Sequence, residues 1–180
     1  MNTHIALLRA INVGGNNKVP MKPLAELFEQ LGCGNVRTYI QSGNVVFDAA
    51  PEMVPTLAAR LHEGIARQFA CRVPVILRSA AKLQRIASGN PYLARGDSAE
   101  QLHVGFLQTT PTQEQLDKLD PARSPPDSFA VCENDIWLQF INGTAKTKLS
   151  TTYFDRTLKT VMTVRNWPHR ARARGDGWLR

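Results

Sequence analysis

A chain of 180 residues with 43% hydrophobic and 21% charged side chains has room for one large domain or two small halves, and its composition excludes a disordered or fibrous protein. The formal net charge is +7. Five Arg and one Asp between Arg165 and Arg180 supply +4 of it, so the body is only mildly basic.

The opening segment, MNTHIALLRAINVGG, has no basic n-region, and its apolar run breaks at Arg9. No other stretch approaches the ~18 apolar residues of a spanning helix. Cys33, Cys71 and Cys132 are odd in number and far apart, which reads as reduced thiols rather than a disulfide set. The expectation is a soluble cytoplasmic protein with no membrane partner.

In chain order, His4–Arg9 reads as a short strand, followed by an Asn- and Gly-rich loop to Val19. Met21, Leu24, Leu27, Phe28 and Leu31 recur at helical spacing, with Gly32 as the stop. Val36–Gln41 and Asn44–Phe47 flank Ser42-Gly43, a two-residue hairpin signal that sets Gln41 opposite Asn44. Alternation then puts Arg37, Tyr39, Gln41, Asn44 and Val46 on one, largely polar face. A helix over Glu52–Phe69 and a strand at Pro74–Arg78 follow.

A looser second round comes next. Ala80–Ser88 is an inserted helix, 89–96 a loop and His103–Gln108 a strand. Thr110, Pro111 and Gln113 read as a capping start with Pro at N1, opening a helix to Leu119. Phe129–Cys132 and Asp135–Ile141 pair around Glu133-Asn134, before a helix at Ser150–Leu158 and a strand near Val161–Arg165. Each round reads β-α-β-β-α-β, so the predicted class is α+β, with two ferredoxin-like halves in tandem packed as one unit. The halves span 1–78 and 79–167, with a basic tail over 168–180. The repeat lies in element order, not in residue identity.

Three stretches together carry a resemblance: LLRAINVGGNNKVPM (Leu7–Met21), NVRTYIQSGNVVF (Asn35–Phe47), and KTKLS with TVRNW (Lys146–Ser150, Thr163–Trp167). They resemble the bacterial family called domain of unknown function 1697. The resemblance implies a tandem of two ferredoxin-like halves and no established activity or cofactor.

The Arg9–Lys18 loop is the strongest candidate site. Gly14-Gly15 lets backbone N–H groups point inward around an anion. Arg9 and Lys18 bracket the loop with charge, Asn12 lies inside it, and the helix after Pro20 offers a positive end. The GGNNK string lacks Walker A spacing, and a loop that only needs Gly to turn is the alternative. Arg37, Tyr39, Gln41 and Asn44 form a second candidate on the hairpin face. Lys146 and Lys148 in the Gly143–Lys148 loop form a third. Arg165 beside Trp167 is the fourth, able to hold a carboxylate. No metal spacing links His4, His62, His103 and His169 to one another or to the cysteines.

Together these features point to binding of a small anionic or phosphorylated ligand in a cleft formed by the Gly-rich loop and the polar hairpin face, by a binding protein or by an enzyme of unassigned chemistry. The alternatives are a nucleic-acid binder using the basic tail and a protein-interaction module without a small ligand.

Overall fold

The computed structural model of the protein describes residues 1–14, 17–39 and 43–167. The hairpin tip at Gln41 and the basic tail therefore lie outside the described residues, as does Gly15. The fold is α+β, with two compact units, one from Met1 to Gln84 and the other from Arg85 onward, each built on a four-stranded antiparallel sheet.

The first unit runs β1 (Asn2–Leu8), α1 (Met21–Gln30), β2 (Gly34–Tyr39), β3 (Asn44–Ala49), α2 (Val54–Phe69), β4 (Val75–Ser79) and the start of α3 (Ala80–Ser88). Its strand order is β2-β3-β1-β4. Helix α1 stops where Gly32 takes φ +91°, and Cys33 N and Gly32 N donate to the Phe28 and Glu29 carbonyls. That is a Schellman closure, which uses carbonyls the helix end leaves open. Leu24 and Phe28 of α1 and Leu57, Leu61 and Ile65 of α2 pack on Ala6, Leu8, Val45, Phe47 and Val75. All ten are at most 2% exposed, so they form a fully buried core.

The hairpin register differs from the expected one. Tyr39, not Gln41, lies opposite Asn44, and Arg37 lies opposite Val46. The shift is two residues, so Arg37, Tyr39, Asn44 and Val46 keep the face expected of them. The face itself needs a correction. Away from the helices it also carries Ile5, Leu7, Val46 and Ile76, all at most 2% exposed. It is polar only along β2 and at the strand ends, because β1 and β4 contribute aliphatic residues to both faces.

The second unit runs α4 (Pro91–Ala94), β5 (Leu102–Leu107), α5 (Gln113–Leu116), β6 (Ser128–Cys132), β7 (Asp135–Gln139), α6 (Thr151–Leu158) and β8 (Met162–Asn166), with strand order β6-β7-β5-β8. Two local readings change here. The stretch after Gly89 is not all loop, because the Asn90 side chain accepts from Tyr92 N and caps the single turn of α4. The cap of α5 is Thr112 rather than Thr110, in a reciprocal box with Gln115, and the helix is one turn long. Phe154, Leu158, Leu107, Ile136, Leu138 and Met162 form the core, and Phe129 meets Phe154 edge-on at 5.5 Å between centroids.

The repeat reaches residue identity, contrary to the sequence reading. Ile5 lies between Val46 and Arg78, and Val104 between Trp137 and Arg165. This sets His4-Ile5-Ala6-Leu7-Leu8 on His103-Val104-Gly105-Phe106-Leu107, and Arg78 on Arg165. The pairs behave alike. Each His holds the carbonyl two residues before it, at 2.7 and 3.3 Å. Each Arg donates Nη1 to the carbonyl of the preceding residue, at 2.9 and 3.0 Å.

Candidate functional site

The loop after β1 is closed largely by its own amides. Asn12 takes φ +56°, a region an Asn tolerates better than most residues. Its Nδ2 donates to the Val19 carbonyl at 3.0 Å and its Oδ1 accepts from Val19 N at 2.9 Å. The side chain thus stands in for a strand partner. Asn12 N donates to the Asn17 carbonyl and Asn17 Nδ2 to the Ala10 carbonyl, both at 3.1 Å. Asn12 is therefore a brace for the loop. Gly14 takes φ +61° and is exposed at the tip, with Lys18 exposed and Arg9 half-buried at the base.

The hairpin turn rests on this loop. Leu8 N donates to the Gly43 carbonyl at 2.8 Å. A Cβ on Gly43, which takes φ +75°, would lie 2.9 Å from the Leu8 carbonyl and from the Ile11 side chain. Only glycine permits that approach. The pairing Leu7–Asn44 places β1 beside β3, so Arg9, Tyr39 and Asn44 gather at one end of the sheet. Helix α1 begins close by in the chain with Pro20 at its cap position, no side-chain cap and no acidic residue in its first turn. Its positive end is not neutralised locally.

Arg37 is exposed and belongs to another neighbourhood as well. With Thr3, Asn35, Val36 and Asp48 it lines a cleft of about 350 Å³ toward the opposite end of the strands. Asp48 accepts from Asn35 Nδ2 at 2.6 Å and from Thr3 Oγ1 at 2.7 Å. Those two hydrogen bonds, reinforced by the charges of Arg37 and of the N-terminal amine, hold its carboxyl below the usual range. Sequence reading missed Thr3, Asn35 and Asp48. The one available signal was Gly34-Asn35 at a strand start, a pair that favours a bulge.

In the second unit, a buried Ser124–Asp127 pair ties down the basic loop. Ser124 Oγ donates to Asp127 Oδ2 at 3.1 Å and accepts from Lys148 N at 2.9 Å. Asp127 Oδ1 accepts from Ile141 N at 2.9 Å. Lys146 and Lys148 are exposed. The helix that follows the loop is already capped, since Ser150 Oγ accepts from Tyr153 N at 3.2 Å, which weakens the phosphate reading. Arg165 Nη1 donates to Thr163 Oγ1 at 2.7 Å, and burial pushes its pKa down to about 10. Trp167 is 5% exposed, and its N–H donates to the Leu102 carbonyl, in keeping with a core anchor.

The cysteines are free thiols; burial pushes Cys33 and Cys71 up, away from the reactive thiolate. Among the described residues no group of three or more His, Cys, Asp or Glu side chains could hold a metal, and no helix is long and apolar enough to cross a membrane.

No curated protein matches the chain. Among solved structures it is similar to a conserved bacterial protein, SP0830 from Streptococcus pneumoniae, with 24% identity, a TM-score of 0.58 and coverage of 92% of each chain. That similarity speaks for the fold. Residues 1–137, most of the chain, match the family described as protein of unknown function, DUF1697, and the protein belongs to that family.

Proposed function

We propose that the protein binds a small anionic, phosphorylated ligand at the loop end of the first sheet. The observation that carries this reading is the seating of the Gly43 turn on Leu8 and Ile11. It joins the Gly-rich loop to the hairpin, two motifs some thirty residues apart in sequence. Arg9 and Lys18 then supply charge, Gly14 and the uncapped start of α1 supply N–H donors, and Tyr39 and Asn44 orient the ligand. We also infer that each half is ferredoxin-like, a reading supported by the element order and by the matching strand orders β2-β3-β1-β4 and β6-β7-β5-β8.

The test is thermal melting with inorganic phosphate, sugar phosphates and nucleotides, on the parent and on Arg9→Gln and Lys18→Gln. A ligand at a hundred times its Kd adds about 2.7 kcal/mol, which is roughly a 5–10 °C rise in Tm for a chain of this size. Each variant is expected to stay folded and to lose most of that rise. The reading is abandoned if no anion stabilises the parent, or if both variants respond as the parent does. Short RNA and DNA at two salt concentrations form a further arm. Tight binding that falls steeply with salt would favour the nucleic-acid alternative.

A further inference from the structure

The cleft beside β2 is built differently from the loop end of the same sheet. Between Gly34, opposite Asp48, and Arg37, opposite Val46, β2 advances three residues while β3 advances two. This is a bulge on an edge strand, with Asn35 at φ +48°. The bulge brings the Asn35 amide to one oxygen of Asp48 while the Thr3 hydroxyl takes the other.

The hydrogen-bonding capacity left at that spot is one-sided. Each Asp48 oxygen accepts one hydrogen bond and keeps further lone-pair capacity, and the Thr3 hydroxyl has spent its proton on Asp48. What remains on these oxygens is acceptor capacity, which suits an ammonium group with three donors. Arg37, which also lines the cleft, is exposed and acts on Asp48 through its charge rather than through a hydrogen bond. The chain's N-terminal amine does so as well, so a ligand ammonium shares the Asp48 carboxylate with that amine. An acidic and a basic side chain thus line one open cleft of about 350 Å³ without a hydrogen bond between them. A volume of that order is the lower end of what small-molecule sites enclose, roughly 300–1,000 Å³.

We propose that the cleft at the β2 bulge binds a small zwitterion, an amino acid in the broad sense, with Asp48 and Thr3 receiving its ammonium and Arg37 its carboxylate. An anion alone is disfavoured there, because Asp48 is ionised and faces the same space. A cation alone leaves the guanidinium unused. A ligand carrying both charges engages both walls, and the planar guanidinium takes a carboxylate in bidentate fashion.

The experiment titrates the full chain, by calorimetry and by backbone amide NMR, with glycine, β-alanine, 4-aminobutyrate and 6-aminohexanoate. Methylamine and acetate serve as single-charge probes. One member of the length series is expected to bind at least tenfold more tightly than either single-charge probe, moving the Val36 and Arg37 amides. Arg37→Gln and Asp48→Asn should each weaken that binding at least tenfold. Arg37 is exposed, so its variant keeps the test valid even if the Asp48 change unfolds the protein. The proposal is overturned if no zwitterion outbinds its single-charge counterparts, or if Arg37→Gln binds like the parent. It is equally overturned if Arg37→Gln binds nothing differently but self-associates, since the bulge and charge would then only guard a sheet edge.

Discussion

The two halves share a framework and differ in what is hung on it. His4 and His103, Leu8 and Leu107, and Arg78 and Arg165 occupy matching places in the two sheets. The connections diverge. After β1 a long loop leads to a ten-residue helix with no side-chain cap, whereas after β5 a short link leads to a single turn held by a capping box. The edge strand β2 is bulged, while β6 pairs with β7 in five consecutive registers. The turn of the first hairpin rests on a neighbouring loop, while the second turns tightly through Glu133 at φ +54°. The connections and the edge strand are therefore more regular in the second half. The first half keeps an open helix end and more irregular backbone, with Asn12, Asn17 and Asn35 at positive φ.

The sharpest way to break this contrast is at Gly43. A side chain there meets the Leu8 carbonyl and Ile11 and is strained by the positive φ. Gly43→Val is expected to cost about 2–5 kcal/mol in denaturant melts, from backbone strain and overpacking together. A loss under ~1 kcal/mol would mean the turn is not seated on the loop, and the joined site would go with it.

A smaller effect probes the shared frame. Ala6 of the first half matches Gly105 of the second, and Val75 matches Met162. A Cβ on Gly105 would lie 2.5 Å from Met162 Sδ. Gly105→Ala should cost roughly 1–3 kcal/mol by overpacking, and adding Met162→Val, the pair the first half uses, should restore much of it. Strict additivity of the two changes would show that the halves do not share this packing rule.

The smallest effect is a pH dependence that His103 gives the second half. His103 is 7% exposed, and burial lowers its pKa below the ordinary 6.5 even though its hydrogen bond to the Gln101 carbonyl opposes the shift. As pH falls below 6.5 the unfolded chain takes a proton that the folded chain resists, so stability is full above that pH and declines through the lowered folded value. Replacing His103 by Phe should flatten the stability curve between pH 7 and 5. An unchanged slope would assign the dependence to another group.

Much of the frame was legible because its signals are local. The stripe Leu57, Leu61, Ile65 marked α2, Gly32 marked the end of α1, and Glu133-Asn134 marked the second hairpin. These follow from periods of 3.6 and 2 and from the few residues that tolerate positive φ. Arg37, Tyr39, Asn44 and Val46 point to the expected side although the register was two residues out, because only parity decides which way a side chain points, but the polar character read for that face did not extend to β1 and β4. Anion-site candidates were also readable, as charges beside glycines.

Tertiary structure alone decided the rest. Asn12 read as a member of the loop site, and only the folded loop shows its amide bracing Val19. Thr3, Asn35 and Asp48 are far apart in sequence, and their cluster exists only through the pairing of β1, β2 and β3 around a bulge. The residue-level repeat stayed hidden for a related reason. A strand of five residues carries too little identity to register by itself, and the cross-strand partners that align His4 with His103 and Arg78 with Arg165 are long-range contacts. Sequence specifies short-range conformation through sterics and periodicity, whereas a site is a coincidence of distant residues that only the closed sheet brings about.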